Sequence, residues 1–148
     1  MKKIEIDLAE VRAGSRYPEP FHLTGMDKLR RRLGRAAGLS QFGVNRLELQ
    51  PGAWSGQRHW HTRNDEFVMV LSGEVVLITG AGEEVLKAGD CAGFRAGDAD
   101  GHHLVNRSEA LSVVLEVGTA HADDECDYPD IDMVGTPKGY ARRDGTPY

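Results

Sequence analysis

Cysteines are scarce in this sequence, and their scarcity narrows the class of protein. The 148 residues include two, Cys91 and Cys126, whose positions do not suggest a disulfide framework. Small secreted domains usually depend on several disulfides, so this composition favours a reduced, intracellular protein. A chain of this length can instead be stabilised by the hydrophobic core of one ordinary domain.

Long apolar runs are also missing. No stretch approaches the length of about 20 apolar residues that a membrane-spanning helix needs. The opening decapeptide, MKKIEIDLAE, has acidic residues where a signal peptide would have an apolar region. We therefore expect a cytoplasmic protein that has no membrane partner.

An excess of positive charge is absent as well. The formal net charge is -5 at pH 7, which gives the protein no general attraction to nucleic acid or to anionic membranes. One basic run, KLRRRLGR, occupies residues 28–35. Such runs are usually solvated, so we expect a surface segment here, with phosphate or nucleic-acid binding as the alternative.

Glycine, by contrast, is abundant. Its 18 residues and other turn formers divide the chain after about Gln41 into about eight short apolar runs rich in strand formers. This pattern predicts an all-β sandwich or barrel. We divide the single domain, 1–148, into an N-terminal arm at 1–40, a β-barrel core at 41–118 and a C-terminal tail at 119–148.

Three local features refine this division. ITGAGEEV predicts a hairpin in which Gly80 and Gly82 provide the unusual backbone angles of the turn. In the arm, MDKLRRRLGRAAG predicts a short helix that ends near Gly38. In the tail, aspartate and proline argue against a central strand, so we expect an edge strand or an arm that lies on a neighbouring subunit.

The stretch RHWHTRNDE, residues 58–66, carries the strongest functional signal. On an extended strand His59 and His61 lie on one face, with Cα atoms about 6–7 Å apart. Two imidazoles at this spacing can bind one metal ion. TRND predicts a turn, after which Glu66 begins a returning strand and can reach the two histidines. Gln57 lies on the same predicted face and is a candidate substrate contact.

A further ligand is available in GHHLVN, residues 101–106. Neighbouring side chains of a strand point to opposite faces, so only one of His102 and His103 can face a barrel interior. Phe94, a short distance upstream, is a second candidate substrate contact, although a role in the core is the alternative.

These residues resemble the two motifs of the cupin superfamily. The first motif has two histidines separated by one residue, then a glutamate and a glycine, which here are His59, His61, Glu66 and Gly73. The second runs from a glycine through a Pro-x-Gly turn to a histidine and an asparagine. Here it corresponds to Gly89, Arg95-Ala96-Gly97, His102 and Asn106, and the spacing to Asn106 favours His102 over His103.

Two departures affect the second motif. Arg95 replaces the usual proline, and the segment between Gly97 and His102 is longer than usual. The resemblance covers about residues 41–118 and implies a cupin-type jelly-roll β-barrel. It also implies one divalent transition metal (Zn, Fe, Mn, Ni or Cu) held by His59, His61, Glu66 and His102.

The resemblance implies a homodimer, and strand 67–71 agrees because both of its faces are apolar. The expected function is that of a metal-dependent oxygenase, isomerase or lyase acting on a small organic molecule. The alternative is a non-catalytic small-molecule-binding or pathway-accessory protein, because one fold serves both classes. No histidine–aspartate pair is evident apart from the predicted ligands, which argues against a metal-independent sugar epimerase.

Overall fold

The computed structural model describes residues 3–23 and 27–148 and is nearly all β. The two helical segments in these ranges are a 3-10 turn at Ile6–Leu8 and a short helix, α1, at Leu33–Ala36. Neither is long and apolar enough to cross a membrane. The strands are β1 Val11–Ala13, β2 Lys28–Arg31, β3 Phe42–Leu49, β4 Trp60–His61, β5 Glu66–Ser72, β6 Glu74–Thr79, β7 Gly82–Lys87, β8 Cys91–Phe94, β9 His103–Val105, β10 Ser112–Thr119, β11 Cys126–Tyr128, β12 Met133–Thr136 and β13 Gly139–Ala141.

The strands form a jelly roll of antiparallel sheets, as expected from the sequence. One sheet has the order β1-β2-β3-β10-β5-β8, a second has β13-β12-β11-β4, and a third has β7-β6-β9. Eight strands, β3 to β10, extend from Phe42 to Thr119, where eight apolar runs predicted them. An isolated bridge between His59 and His102 joins the residues just before β4 and β9, and a second one pairs Trp54 with Val105 on β9.

Side chains on the inner face of the long strands fill the barrel. On β3, Leu47 and Leu49 are fully buried, and Val70 on β5 and Val114 on β10 meet them from neighbouring strands. Burying an aliphatic side chain of this size contributes about 1.5–3 kcal/mol. On the opposite face of β5, Phe67 and Leu71 stay 41% and 46% exposed, so residues 3–23 and 27–148 leave this face partly uncovered.

The predicted hairpin is present as β6 and β7, with Thr79 paired to Gly82 across a two-residue turn. Gly82 has a φ of 130°, as expected of a turn glycine. Gly80 does not have the predicted role. Its φ is not positive, so it does not provide an unusual backbone angle to the turn. A Cβ there would lie 2.6 Å from Asp100 Oδ1, which accepts the Gly80 N–H, so glycine allows the close approach of this carboxylate.

The structure corrects two predictions about the basic run at residues 28–35. Residues 28–31 form β2 rather than a helix, because they pair along β3, and tertiary pairing overrides weak helix propensity. Helix α1 then occupies four residues before Gly38, whose φ is 73°. Met26, at the start of the predicted helix, lies outside the described residues. Nor is the run a solvated surface, since Lys28 is 6% exposed.

The tail also differs from expectation. β11 is an inner strand between β12 and β4, where an edge strand or an intersubunit arm was predicted. Asp127 is tolerated in β11 because its carboxylate projects to Arg143, whose guanidinium donates two hydrogen bonds of 2.7 and 3.0 Å. Pro129 follows the strand and needs no ladder partner. This sheet brings Cys126 directly opposite His61.

Candidate metal centre

Three segments that are distant in sequence bring the predicted ligands together. His59 and His102 bridge two loops through reciprocal backbone hydrogen bonds of 3.1 and 2.8 Å. His61 ends β4, and Glu66 begins β5 opposite Phe94 on β8. The barrel thus positions the four side chains by backbone pairing rather than by one flexible loop.

The three histidine side chains surround the Glu66 carboxylate. Glu66 Oε2 lies 3.1 Å from Nε2 of His102, 3.6 Å from Nε2 of His61 and 3.9 Å from Nε2 of His59. This carboxylate oxygen is buried and has no well-directed hydrogen bond among the described residues. A buried anion without such a partner is costly, so the geometry favours a cation among these groups.

The outer nitrogens of two histidines are already engaged. His59 Nδ1 donates to the Gln57 carbonyl at 2.7 Å, and His61 Nδ1 donates to the Asp124 carboxylate at 2.5 Å. These bonds place the proton on Nδ1 and leave the Nε2 lone pair directed at the centre. His102 Nδ1 is buried and has no hydrogen-bond partner among the described residues.

The ionisation of the centre also suits a metal. Burial lowers the pKa of His59 to about 4, despite the opposing effect of Glu66, so its imidazole is neutral at pH 7. Burial raises the pKa of Glu66, but interactions with His102 and the other two histidines outweigh burial and lower it to about 2. A neutral imidazole and an ionised carboxylate are the forms that bind metal.

His103 points away from this centre. Its Nδ1 lies 3.1 Å from the Gly56 carbonyl, and its ring meets Trp54 edge to face at 4.8 Å. His102 is therefore the histidine that the structure brings to Glu66. Strand alternation required one of the two to face outward but could not say which.

Asp124 is a participant that the sequence did not reveal. Besides holding His61, its carboxylate accepts hydrogen bonds from the Asn64 side chain at 2.9 Å and from the Arg63 backbone at 2.8 Å. One residue thus fixes both a histidine ring and the turn that follows it. Nothing in the acidic segment ADDECDYPDID singles out this aspartate from its neighbours.

Cys126 was likewise not predicted at the centre. Its Sγ and one nitrogen each of His59 and His61 all lie within 4.8 Å of one another, so these three could also contribute to a metal site. Burial raises the pKa of the thiol to about 12. Tyr128, two residues later, packs against His59 with ring centroids 5.8 Å apart.

The two predicted substrate contacts lie close to the centre. The Phe94 ring stacks on His102, with centroids 3.5 Å apart, and lines the two cavities described below. Gln57 contributes its backbone, which accepts from His59 and donates to the Tyr17 hydroxyl at 3.1 Å. A substrate contact by either side chain stays a prediction.

Residues of the centre line two cavities. The larger, of about 570 Å³, reaches His59, Glu66 and His102. Tyr17 from the N-terminal arm and Tyr140 from the tail also line it, so segments outside the predicted core help to shape the site. The smaller cavity, of about 320 Å³, reaches His102 from the side of Trp60 and Phe94. Cavities of this size suit small organic molecules.

The donor set fits a divalent transition metal. Three imidazoles and one carboxylate supply nitrogen and oxygen ligands, which suit zinc, iron, manganese, nickel or copper. Such a set leaves positions for water or substrate, unlike a closed structural site. A metal-independent sugar epimerase would need a histidine–aspartate pair separate from the metal ligands. The His61–Asp124 pair is not separate from them, because His61 is one of the predicted ligands.

Comparisons with known proteins agree with this architecture. A family model, Cupin domain, matches residues 45–118. A sugar phosphate isomerase from a cupin superfamily of Silicibacter pomeroyi is 44% identical, with a TM-score of 0.93, covering 99% of this chain and 96% of that one. A putative sugar phosphate isomerase of Acidithiobacillus ferrooxidans is 28% identical, with a TM-score of 0.71, covering 77% of this chain and 74% of that one.

A more distant structure shows the fold alone. The polyketide cyclase RemF of Streptomyces resistomycificus is 18% identical, with a TM-score of 0.65, covering 82% of this chain and 80% of that one. No curated protein gives a significant match. The family match, the close structural relative and the barrel lead to one conclusion: this chain belongs to the cupin superfamily.

Proposed function

We propose that this protein is a metal-dependent isomerase of a small phosphorylated sugar. The observation that carries the proposal is the position of three histidine Nε2 atoms around the buried Oε2 atom of Glu66, at a cavity of about 570 Å³. The sugar phosphate isomerase from Silicibacter pomeroyi, 44% identical over 99% of this chain, supports isomerisation over the oxygenase and lyase classes.

In this proposal His59, His61, Glu66 and His102 hold one divalent metal. A metal in this position would polarise the carbonyl and the neighbouring hydroxyl of an open-chain sugar. Isomerisation moves one hydrogen between adjacent carbons and one proton between their oxygens, so it needs no external oxidant or reductant.

The rest of the chain orients the ligands and shields the site. The Gln57 carbonyl and Asp124 keep protons on the Nδ1 atoms of His59 and His61, which preserves the ligating tautomer. The stacked Phe94 ring covers one face of His102 and restricts its rotation. Tyr17, whose pKa burial raises to about 12, remains a neutral hydroxyl that can donate to a sugar oxygen.

The reaction can be tested directly. Metal-loaded protein would be incubated in D₂O with a panel of pentose and hexose phosphates, and proton NMR would follow deuterium entry at the carbon next to the carbonyl. We expect exchange and a new isomer with the wild type and loss of both with Glu66→Gln. Glu84→Gln, at an exposed position on β7, is the matched control.

The result also separates the enzyme from the alternative role. Binding of a sugar phosphate with neither exchange nor product would favour a non-catalytic binding cupin. Turnover that survives in Glu66→Gln would contradict the assignment of this site.

A further inference from the structure

The larger cavity concentrates positive charge in a protein that is acidic overall. The whole chain carries a formal charge of -5, whereas the cavity wall carries five cationic and two anionic side chains, a formal charge of +3 with histidines neutral. The cations are Arg12, Arg16, Lys28, Arg30 and Arg32, and the anions are Glu66 and Glu116. A metal at the histidines would add further positive charge.

This concentration follows from how the N-terminal arm joins the barrel. β1 and β2 extend the main sheet beyond β3, with Arg12 paired to Arg30 and Arg30 paired to the buried Leu47. Side chains at paired positions share a face of the sheet. Arg12, Arg30 and, by alternation, Lys28 therefore face the same side as the barrel core.

Part of this charge is already neutralised within the protein. Arg30 donates two hydrogen bonds, of 2.6 and 2.8 Å, to the Glu116 carboxylate. Arg12 and Arg32 share Glu10 at 3.6 and 3.5 Å, but Glu10 is 44% exposed and is not part of the cavity wall. The Arg30–Glu116 pair is thus complete, whereas Arg12 and Arg32 remain only partly compensated.

Lys28 and Arg16 are the least compensated. Lys28 is 6% exposed. Among the described residues its ammonium group has one hydrogen-bond acceptor, the Ser55 carbonyl oxygen, at 2.6 Å. An ammonium has three protons to donate, so two remain for a ligand. Arg16 forms no ion pair in the described parts of the chain. Burial and the charges of Arg32 and Arg16 lower the pKa of Arg12, as expected where guanidinium groups repel one another.

We propose that Arg12, Arg16 and Lys28 form a subsite for the phosphate group of the substrate, in the same cavity as the metal ligands. A phosphate dianion would compensate the unpaired cations and accept charge-assisted hydrogen bonds from guanidinium and ammonium groups. The inference rests on the proposed function for the sugar part of the ligand, but the charge of the cavity stands independently of the metal.

Calorimetric titration of the metal-loaded protein tests the subsite. The probes would be inorganic phosphate, ribose 5-phosphate, ribose and gluconate, which separate the phosphate, the sugar and a carboxylate. We expect Lys28→Met to weaken binding of both phosphate probes about tenfold or more and Arg16→Gln severalfold, because each loses a charged hydrogen bond. Ribose, which lacks the anionic group, should bind the variants and the wild type alike.

A matched control is available on α1. Arg35 pairs with the same Glu10 at 3.2 Å, but its side chain is 64% exposed and does not line the cavity. Arg35→Gln should therefore bind phosphate like the wild type. Metal content, measured on every variant, should be unchanged.

Each outcome decides the point. Equal phosphate affinity in the wild type, Lys28→Met and Arg16→Gln would overturn the subsite, as would an equal loss in Arg35→Gln. Gluconate binding as tight as ribose 5-phosphate binding would overturn its assignment to phosphate. Phosphate binding that depends on Lys28 and Arg16, in a protein that catalyses no isomerisation, would support the subsite while contradicting the proposed reaction.

Discussion

The Nδ1 atom of His61 lies 2.5 Å from the carboxylate of Asp124, a residue 63 positions later in the chain. The β4–β11 pairing creates this contact, because it places the start of the tail beside the histidine strand. The side chain of Asp124 is 9% exposed, so the bond is shielded from water. The tail therefore helps to orient a proposed metal ligand.

Replacing this aspartate should weaken the metal site. We expect Asp124→Ala to lower metal affinity about tenfold to a hundredfold, because partners that orient ligating histidines contribute to affinity on that scale. Competition with a coloured chelator would measure the change. Asp123→Ala is the matched control, because the neighbouring side chain is 66% exposed and contacts Arg63 at 3.3 Å. Equal affinity in the two variants would contradict the role of Asp124.

Lys28 should make the stability of the metal-free protein depend on pH. Burial and the charge of Arg30 lower its pKa from 10.5 to about 8, although Glu116 opposes them. Between pH 8 and 10.5 the unfolded chain then binds more protons at this residue, so its contribution to stability rises with pH. We expect Lys28→Met to melt at a higher temperature than the wild type at pH 7, and the difference to shrink toward pH 10.5.

The difference in melting temperature between the wild type and Lys28→Met, taken at each pH, separates the effect of Lys28 from the effects of other titrating groups. Tyr17 and Cys126 have pKa values raised to about 12, so they make both proteins less stable at high pH. These effects cancel in the difference between wild type and variant. A difference that stays constant from pH 7 to pH 10.5 would contradict a buried, titrating Lys28.

Gly73 should be essential to the turn between β5 and β6. Its φ is 74°, and a Cβ there would lie 2.9 Å from the Leu111 carbonyl oxygen. We expect Gly73→Ala to lower the free energy of unfolding by about 1–3 kcal/mol, the usual cost of such strain. Gly43→Ala is the control, because its Cβ would have no neighbour closer than 3.8 Å. Urea denaturation of both variants would measure the difference.

Spacing and alternation predicted that His59, His61 and Glu66 lie close together, as they do in the structure, whereas the choice of His102 came from the resemblance to the cupin motif. The two histidines around Trp60 share a face because strand side chains alternate, and a turn returns the chain at Glu66. The same reasoning predicted the eight strands of residues 41–118, because short apolar runs between turn residues have few other stable arrangements.

Long-range pairing explains what was not predicted. Lys28 belongs to a run with helical and solvated character, and it is buried because β2 pairs with β3. Asp124 and Cys126 reach the site through β11, whose polar sequence suggested an edge strand or an arm. Local propensity carries little information about such contacts, since they depend on residues far away in the chain.

The exposed face of β5 leads to a prediction about assembly. Phe67 and Leu71 remain 41% and 46% exposed on one face of this strand. We expect a homodimer that covers this face, because exposed apolar patches often mark interfaces. Light scattering at micromolar concentration should give a dimer mass for the wild type and a monomer mass for Leu71→Glu. Val85→Glu, at a position 51% exposed on β7, should remain dimeric. A monomeric wild type would contradict the prediction.

The metal content of the purified protein is the decisive test of the proposed site. Inductively coupled plasma mass spectrometry would be applied to tag-free wild type, the His59→Ala/His61→Ala double variant and the control His121→Ala, whose residue is exposed. We predict about one equivalent of a divalent transition metal in the wild type and the control, and at least about a tenfold loss in the double variant. A wild type without metal after reconstitution, or a double variant that retains its metal, would contradict a metal site at these histidines.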